Sequence, residues 1–189
     1  SGAQVQRALE DREQEIVDLV EATYRWHGAG DSVNPPSYFL RFPDRPTGRI
    51  IALPASLGGP RAVDGLKWIS SFPTNVEFGI PRASAVLILN DPDTGYPFAC
   101  LESSIISASR TAASAALAAD WLSRERGRPT RVGFFGVGLI ATDPLYPTVL
   151  ARTVMIAAAA SCERRLPPIP RSERVDTPAI NAISRATIV

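Results

Sequence analysis

The sequence predicts an α/β protein in which an α+β domain with an antiparallel sheet precedes the beginning of a Rossmann-like unit. Three observations support this prediction: an amphipathic helix near the start, a run of short strand-like segments, and a glycine-rich turn directly after a later strand. The 189 residues suffice for one domain and part of a second. We expect the first domain to cover residues 1–129 and the second to begin within residues 130–189.

Two helices flank the strand-rich region. Residues 7–26 carry apolar side chains at near-helical spacing, and glycines follow them. Residues 103–126 form the second predicted helix, and their small-residue stretch 111–119 would let another backbone pack closely. The single histidine, His27, falls in the last turn of the first helix. An imidazole interacts well with the carbonyls there, so a structural role is favoured over a catalytic one.

Strands are predicted in the region between the helices and once after them: 37–42, 49–53, 66–71, 85–90 and 131–135. The segment 91–95 has turn chemistry, since Pro sets φ, Asp bonds back to the backbone and Gly supplies a positive φ. It should join residues 86–89 to residues 98–101 as a hairpin. The first domain therefore contains an antiparallel sheet.

The composition excludes several classes of protein. A net charge of +1 argues against a basic nucleic-acid or anionic-membrane binder. Cys100 and Cys162 lie far apart, and with one histidine they predict neither a disulfide scaffold nor a metal site. The longest apolar run, 154–160, is far short of the roughly 20 residues that span a bilayer. No signal-peptide pattern opens the chain, so we expect a cytoplasmic protein.

A dinucleotide fingerprint, Gly136-x-Gly138-x-x-Ala141, directly follows the last predicted strand. Its glycines give a tight turn and let the backbone approach a pyrophosphate. However, Pro144 falls where the next helix should lie, and the first acid after the following apolar run, Glu163, comes late for a ribose contact. The sequence therefore begins a nucleotide-binding unit and does not complete it.

Three cations lie among apolar or small residues. Lys67 is the only lysine among 20 basic residues and occupies a largely apolar strand, where it either reaches the surface or lines a pocket. Arg41 lies in another apolar strand and Arg110 on the small-residue helix. Each arginine alone could be a structural ion-pair partner. Together the three suggest a pocket for a carboxylate-rich ligand, because guanidinium groups bind carboxylates bidentately.

Several blocks resemble the ornithine cyclodeaminase/mu-crystallin family: 53–59, 65–67, 79–82, 87–102, 106–119 and 132–138. Within that family, residues 34–43, 67–73 and 90–91 look most like the branch of N-(2-amino-2-carboxyethyl)-L-glutamate dehydrogenases. These enzymes supply 2,3-diaminopropionate for siderophores and antibiotics. The resemblance covers about residues 7–141.

The resemblance implies a substrate-binding and dimerisation domain, followed by a Rossmann domain that binds NAD. It implies a homodimer that oxidises an amino-acid substrate, whose carboxylates Arg41, Lys67 and Arg110 would hold. Lys67 would also be catalytic, assisting proton transfer beside a forming imine. The implied cofactor-binding residues are Thr111, Gly136, Val137, Gly138, Leu139 and Ile140.

We find no match to the family after Ala141, and the acidic residue that cyclodeaminases use from their second domain has no identifiable counterpart. Within residues 142–189 only 148–160 could form a regular element. The remainder resembles an extended or disordered tail of a truncated or out-of-frame chain. Two alternatives stay open: a non-catalytic module that dimerises and binds amino acids, and an ornithine or lysine cyclodeaminase. The latter fits the block 68–73 less well.

Overall fold

The computed structural model describes residues 1–124, 131–134, 138–141, 143–144 and 154–157. The helices are α1 (Gly2–Leu9), α2 (Glu13–Gly28) and α3 (Ser104–Ser123). The strands are β1 (Ser32–Val33), β2 (Tyr38–Phe42), β3 (Arg45–Leu57), β4 (Val63–Ser71), β5 (Ala83–Asn90), β6 (Pro97–Glu102), β7 (Arg131–Phe134) and β8 (Val154–Ala157). Short 3₁₀ turns occupy Gly59–Arg61 and Pro73–Phe78.

The first six strands form one antiparallel sheet in the order β1-β3-β4-β5-β6, with β2 paired to the earlier part of β3. This confirms the predicted antiparallel sheet, in which β3, β4, β5 and β6 extend beyond their predicted limits and β2 lies within them. The hairpin between β5 and β6 forms as expected. The Asp91 carboxylate accepts a 2.9 Å hydrogen bond from the backbone N–H of Thr94, and Gly95 has a φ of +73°.

The prediction of one helix over residues 7–26 was wrong, because the chain forms two helices there. Asp11, between α1 and α2, has a φ of +58°, in the left-handed region that Asp tolerates better than most residues. The break lets the two helices bury side chains in different places. Val5 and Ala8 of α1 pack on the sheet, whereas Ile16, Val17 and Val20 of α2 pack on α3.

The small-residue helix packs as its composition predicted. Ala112, Ala113 and Ala116 are fully buried against α2. Because their side chains end at Cβ, the two helix backbones can approach closely. The predicted end of this helix near residue 126 lies outside the described residues, which show it through Ser123.

The two faces of the sheet differ in what covers them. Residues paired across strands point to the same face, and alternate residues along a strand point to opposite faces. The covered face contains Leu57, Val63, Leu87 and Leu89, which are buried with side chains of α1 and α3. The opposite face, called the open face below, is exposed and apolar at Tyr38, Leu40, Trp68, Val86 and Phe98.

The strands β7 and β8 pair in parallel, with Arg131 opposite Val154. The strand predicted at 131–135 is confirmed over Arg131–Phe134, and β8 falls inside the stretch 148–160 that we expected to be regular. Parallel strands need a crossover connection, as in a βαβ unit. An antiparallel α+β region followed by a parallel pair confirms the predicted fold class.

The close packing of α2 on α3 should not accept a larger side chain. Replacing the fully buried Ala116 by Leu is expected to lower the free energy of unfolding by about 1–3 kcal/mol, because the helices must separate to admit it. Urea unfolding followed by circular dichroism measures this. The control Ala115→Leu, at an exposed position of the same helix, should change stability by less than about 0.5 kcal/mol. Equal losses would contradict the proposed packing.

Candidate active site

Lys67 lies at the centre of the sheet. It occupies β4, opposite Leu53 of β3 and Leu87 of β5, and its side chain is on the covered face. Only 5% of the residue is exposed. Its Nζ donates a 3.4 Å hydrogen bond to the Oγ of Ser107 on α3. Of the two sequence alternatives, the structure therefore shows the buried lysine and not one that reaches the surface.

Arg110 lies one helical turn after Ser107, on the same side of α3. Burial, and to a smaller extent the positive charge of Arg110, together lower the pKa of Lys67 from 10.5 to about 8. The Nε of Arg110 is itself buried and has no hydrogen-bond partner among the described residues. The structure thus brings together two of the three predicted cations, and no carboxylate contributes to the shift.

Lys67 beneath α3 and Arg110 on α3 have no carboxylate partner among the described residues, and this is costly. A buried charge is normally paired, since losing hydration without gaining a partner is unfavourable. Nearby, the hydroxyl of Ser103 is also buried and has no hydrogen-bond partner in the described part of the chain. Ser103 lies one turn before Ser107 on the same side of the helix. Sequence reasoning missed this serine, although the spacing of polar residues along a small-residue helix could have indicated it. The arrangement favours an anionic ligand with hydrogen-bond acceptors.

Arg41 is placed differently. It lies on β2 and is exposed, with its guanidinium 5.1 Å from the ring of Phe39. The register puts it on the same face as Lys67, directly opposite Arg49 of β3. It makes no hydrogen bond or ion pair with Lys67 or Arg110 among the described residues. Its role in holding a substrate therefore stays a prediction.

The glycine-rich turn is described in part. Gly136 and Val137 lie outside the described residues, whereas residues 138–141 form an exposed turn after β7. A Cβ added at Gly138 would meet nothing within 4 Å, so the described packing does not require glycine there. Open space at the carboxyl end of a parallel strand is where α/β folds bind nucleotides. Leu139 and Ile140 are 57% and 43% exposed beside that space.

Two side chains of α3, Thr111 and Ser109, form hydrogen bonds that bear on the predicted cofactor site at the glycine-rich turn. The hydroxyl of Thr111 donates a 2.6 Å hydrogen bond to the carbonyl of Ser107, so it must rotate before it can donate to a phosphate oxygen. The predicted contact of Thr111 with the cofactor stays a prediction.

The buried Ser109 donates a 2.9 Å hydrogen bond to the carboxylate of Asp143, which follows the glycine turn. Sequence reasoning missed this contact, because nothing in the local pattern links residues so far apart.

The remaining sequence predictions concern histidine, metals and membranes. His27 lies at the end of α2, with its Nδ1 2.6 Å from the Oγ of Ser32, in a structural role. Within the described part of the chain, no three His, Cys, Asp or Glu residues form a cluster that could hold a metal ion. No helix among those residues is long and apolar enough to cross a membrane.

The fold and the site together define a class of α/β protein. An antiparallel sheet buries a lysine beneath a small-residue helix, with no carboxylate partner among the described residues, and a parallel strand pair with a glycine turn follows. Residues 3–149 match the profile of the ornithine cyclodeaminase/mu-crystallin family, and the chain belongs to this family. The match continues past Ala141, so the expectation that the family pattern ends there was wrong.

Three known proteins illustrate the similarity. The chain is 38% identical over 146 residues to N-((2S)-2-amino-2-carboxyethyl)-L-glutamate dehydrogenase of Staphylococcus aureus, covering 75% of this chain and 43% of that protein. The structure of Thermococcus litoralis Δ1-pyrroline-2-carboxylate reductase, in complex with NADH and L-proline, is 26% identical with a TM-score of 0.69, covering 81% of this chain and 49% of that one. An archaeal alanine dehydrogenase dimer with bound NAD is 32% identical with a TM-score of 0.68, covering 79% and 43%. The chain therefore spans less than half of the length of each.

The buried charge of Lys67 should make stability depend on pH in a specific direction. Folding lowers its pKa from 10.5 to about 8, so between these values the unfolded chain binds more protons and the folded state gains stability as pH rises. At pH 7 the full penalty is present, and Lys67→Met should raise the free energy of unfolding by up to about 3 kcal/mol. Urea unfolding from pH 7 to 10.5 measures the difference between variant and wild type. That difference should shrink as pH rises, and a constant difference would contradict a buried charged lysine.

Proposed function

We propose that the protein takes part in the NAD-dependent oxidative cleavage of N-(2-amino-2-carboxyethyl)-L-glutamate to 2,3-diaminopropionate and 2-oxoglutarate. The supporting observation is the buried Lys67 beside the half-buried Arg110, neither of which has a carboxylate partner among the described residues. The similarity to the Staphylococcus aureus dehydrogenase supports this choice of substrate. In this proposal the reaction runs in the cytoplasm and supplies a precursor for siderophores or antibiotics.

The proposed reaction balances with one water. A hydride leaves the glutamate Cα as the nitrogen loses its proton, and a C=N bond forms. Water then adds to that carbon, and the C–N bond breaks to release 2-oxoglutarate and 2,3-diaminopropionate. One NAD⁺ is reduced to NADH for each substrate cleaved.

Lys67 and Arg110 have complementary roles in this proposal. Arg110 is permanently charged and can hold a substrate carboxylate bidentately. Lys67, with a pKa of about 8, can lose or take up a proton near neutral pH. A bound carboxylate would stabilise its charged form and raise that pKa. Lys67 can thus hold the substrate and move a proton at the reacting nitrogen.

NAD would lie over the turn at Gly138, where the exposed backbone and the open space leave room for a pyrophosphate. The proposed contacts are those predicted from the sequence, from Thr111 and from residues 136–140. When bound, NAD⁺ accepts the hydride. The chain's own contribution is to hold the turn beside α3 through the hydrogen bond from Ser109 to Asp143.

The proposal assigns residues 1–129 to substrate binding and dimerisation and residues 130–189 to the start of the nucleotide domain. The open face is the proposed dimer contact. Trp68 and Phe98, for example, are 42% and 47% exposed on a sheet whose other face is covered by helices. Contiguous apolar surface of this kind typically marks a protein interface. The dimeric state of the similar archaeal alanine dehydrogenase supports this assignment.

The assay for this function combines cofactor binding with product analysis. Titration with NADH should give saturable fluorescence, and NAD⁺ with the proposed substrate should give equal amounts of NADH and 2-oxoglutarate. Lys67→Ala is expected to lower turnover at least about a hundredfold, the usual contribution of a proton-transfer group, while the circular dichroism stays unchanged. Arg45→Ala, at an exposed position of β3, is the control and should keep full activity.

Other outcomes of this assay distinguish the alternatives. Release of ammonia and a cyclic imino acid from ornithine or lysine would identify a cyclodeaminase. Cofactor binding without turnover of any of these substrates would leave the non-catalytic module. Absence of saturable NADH binding would exclude catalysis by this chain.

The dimer is tested by sedimentation velocity. The wild-type chain should sediment as a dimer, and Trp68→Glu should shift it to a monomer, because the substitution places a charge in the middle of the apolar contact. Leu122→Glu is the control, since Leu122 is 80% exposed on α3, away from the open face. A monomeric wild type, or an unchanged Trp68→Glu dimer, would contradict this interface.

A further inference from the structure

An additional arginine faces the same side of the sheet as Lys67. Arg49 lies on β3, directly opposite Arg41 of β2 on one side and Ser71 of β4 on the other. The register places all three on the covered face, which Lys67 shares. Arg49 was not among the residues singled out from the sequence, because only the strand register reveals its position.

The pairing of Arg41 with Arg49 is unfavourable on its own. Like charges directly opposite each other on neighbouring strands destabilise a sheet. Neither guanidinium forms a hydrogen bond or ion pair with any described residue, although Arg45 on the same strand is paired with Asp44 at 3.4 Å. Arg49 is also half-buried, so water does not fully solvate its charge. An anion bound between the two arginines would remove the repulsion.

We propose that Arg49, together with Arg41, binds the distal carboxylate of the substrate's glutamate arm and so determines the length and charge of the accepted substrate. This inference rests on the proposed function and deepens it. It assigns the two ends of a tricarboxylate to two pairs of cations. Lys67 and Arg110 hold the diaminopropionate end, and the arginine pair holds the far end.

The spacing along the sheet fits a ligand of this length. Arg49 is four residues before Leu53, the residue opposite Lys67, which corresponds to about 13 Å along the strand. The outer carboxylates of the extended substrate are about 9 Å apart across seven bonds. A hydrogen bond of about 2.8 Å at each end brings the span to about 15 Å, comparable with the strand distance.

The test compares two ligands of equal length on the whole 189-residue chain, in the presence of NADH. N-(2-amino-2-carboxyethyl)-L-glutamate has the distal carboxylate, and the corresponding L-glutamine compound has a neutral amide there. Calorimetry should show that the wild type prefers the glutamate compound. Arg49→Gln is expected to weaken binding of that compound about tenfold and leave binding of the amide unchanged.

Two further variants make the comparison specific. Arg49→Lys keeps the charge and should recover part of the preference, whereas Arg45→Gln removes a charge from the same strand and should leave the preference intact. An Arg49→Gln protein that keeps the wild-type preference overturns the role of Arg49 while the proposed function stands. A wild-type chain that binds neither ligand refutes the proposed function and this inference together.

Discussion

The burial of Lys67 without a counter-charge from any described residue is the constraint on which the rest of the site depends. A strand at the centre of an antiparallel sheet would ordinarily present an apolar side chain to the helix above it, as Leu87 does on the neighbouring strand. Here the position holds an ammonium group, and the helix adds Arg110 beside it. The surrounding packing must therefore be stable enough to hold two like charges close together.

That stability comes from apolar contacts around the site and not from polar bonds within it. The alanines of α3 pack on α2, while the covered face of the sheet packs on α1 and α3. Among the described residues, Lys67 itself has one long hydrogen bond, to Ser107. Well-packed apolar contacts around a site can keep a destabilising arrangement in place, and in the proposed function the substrate carboxylates supply the missing negative charge.

Much of the fold could be predicted from the sequence, because local sequence patterns indicate its helices, strands and turns. The turn chemistry of residues 91–95 predicted the hairpin, and small residues predicted the close packing of α3. The helix break at Asp11 could not be predicted, because the apolar spacing continues through it. Tertiary packing determines that α1 buries its side chains on the sheet and α2 on α3. The sequence predicted Lys67 and Arg110 as site residues because each is a cation among apolar or small residues. Their proximity could not be predicted, because it depends on strand register. Arg49 and Asp143 depend entirely on such long-range pairing.

The hydrogen bond from Ser109 to Asp143 has a consequence for how this chain can vary. Ser107 contacts Lys67 and Ser109 contacts the segment after the glycine turn, so two distant parts of the chain meet a single turn of α3. One residue inserted between them would rotate the second contact by about 100° around the helix axis. Loops elsewhere can lengthen or shorten without such an effect. This turn is therefore a segment of fixed length, in which an insertion or deletion would separate the two contacts.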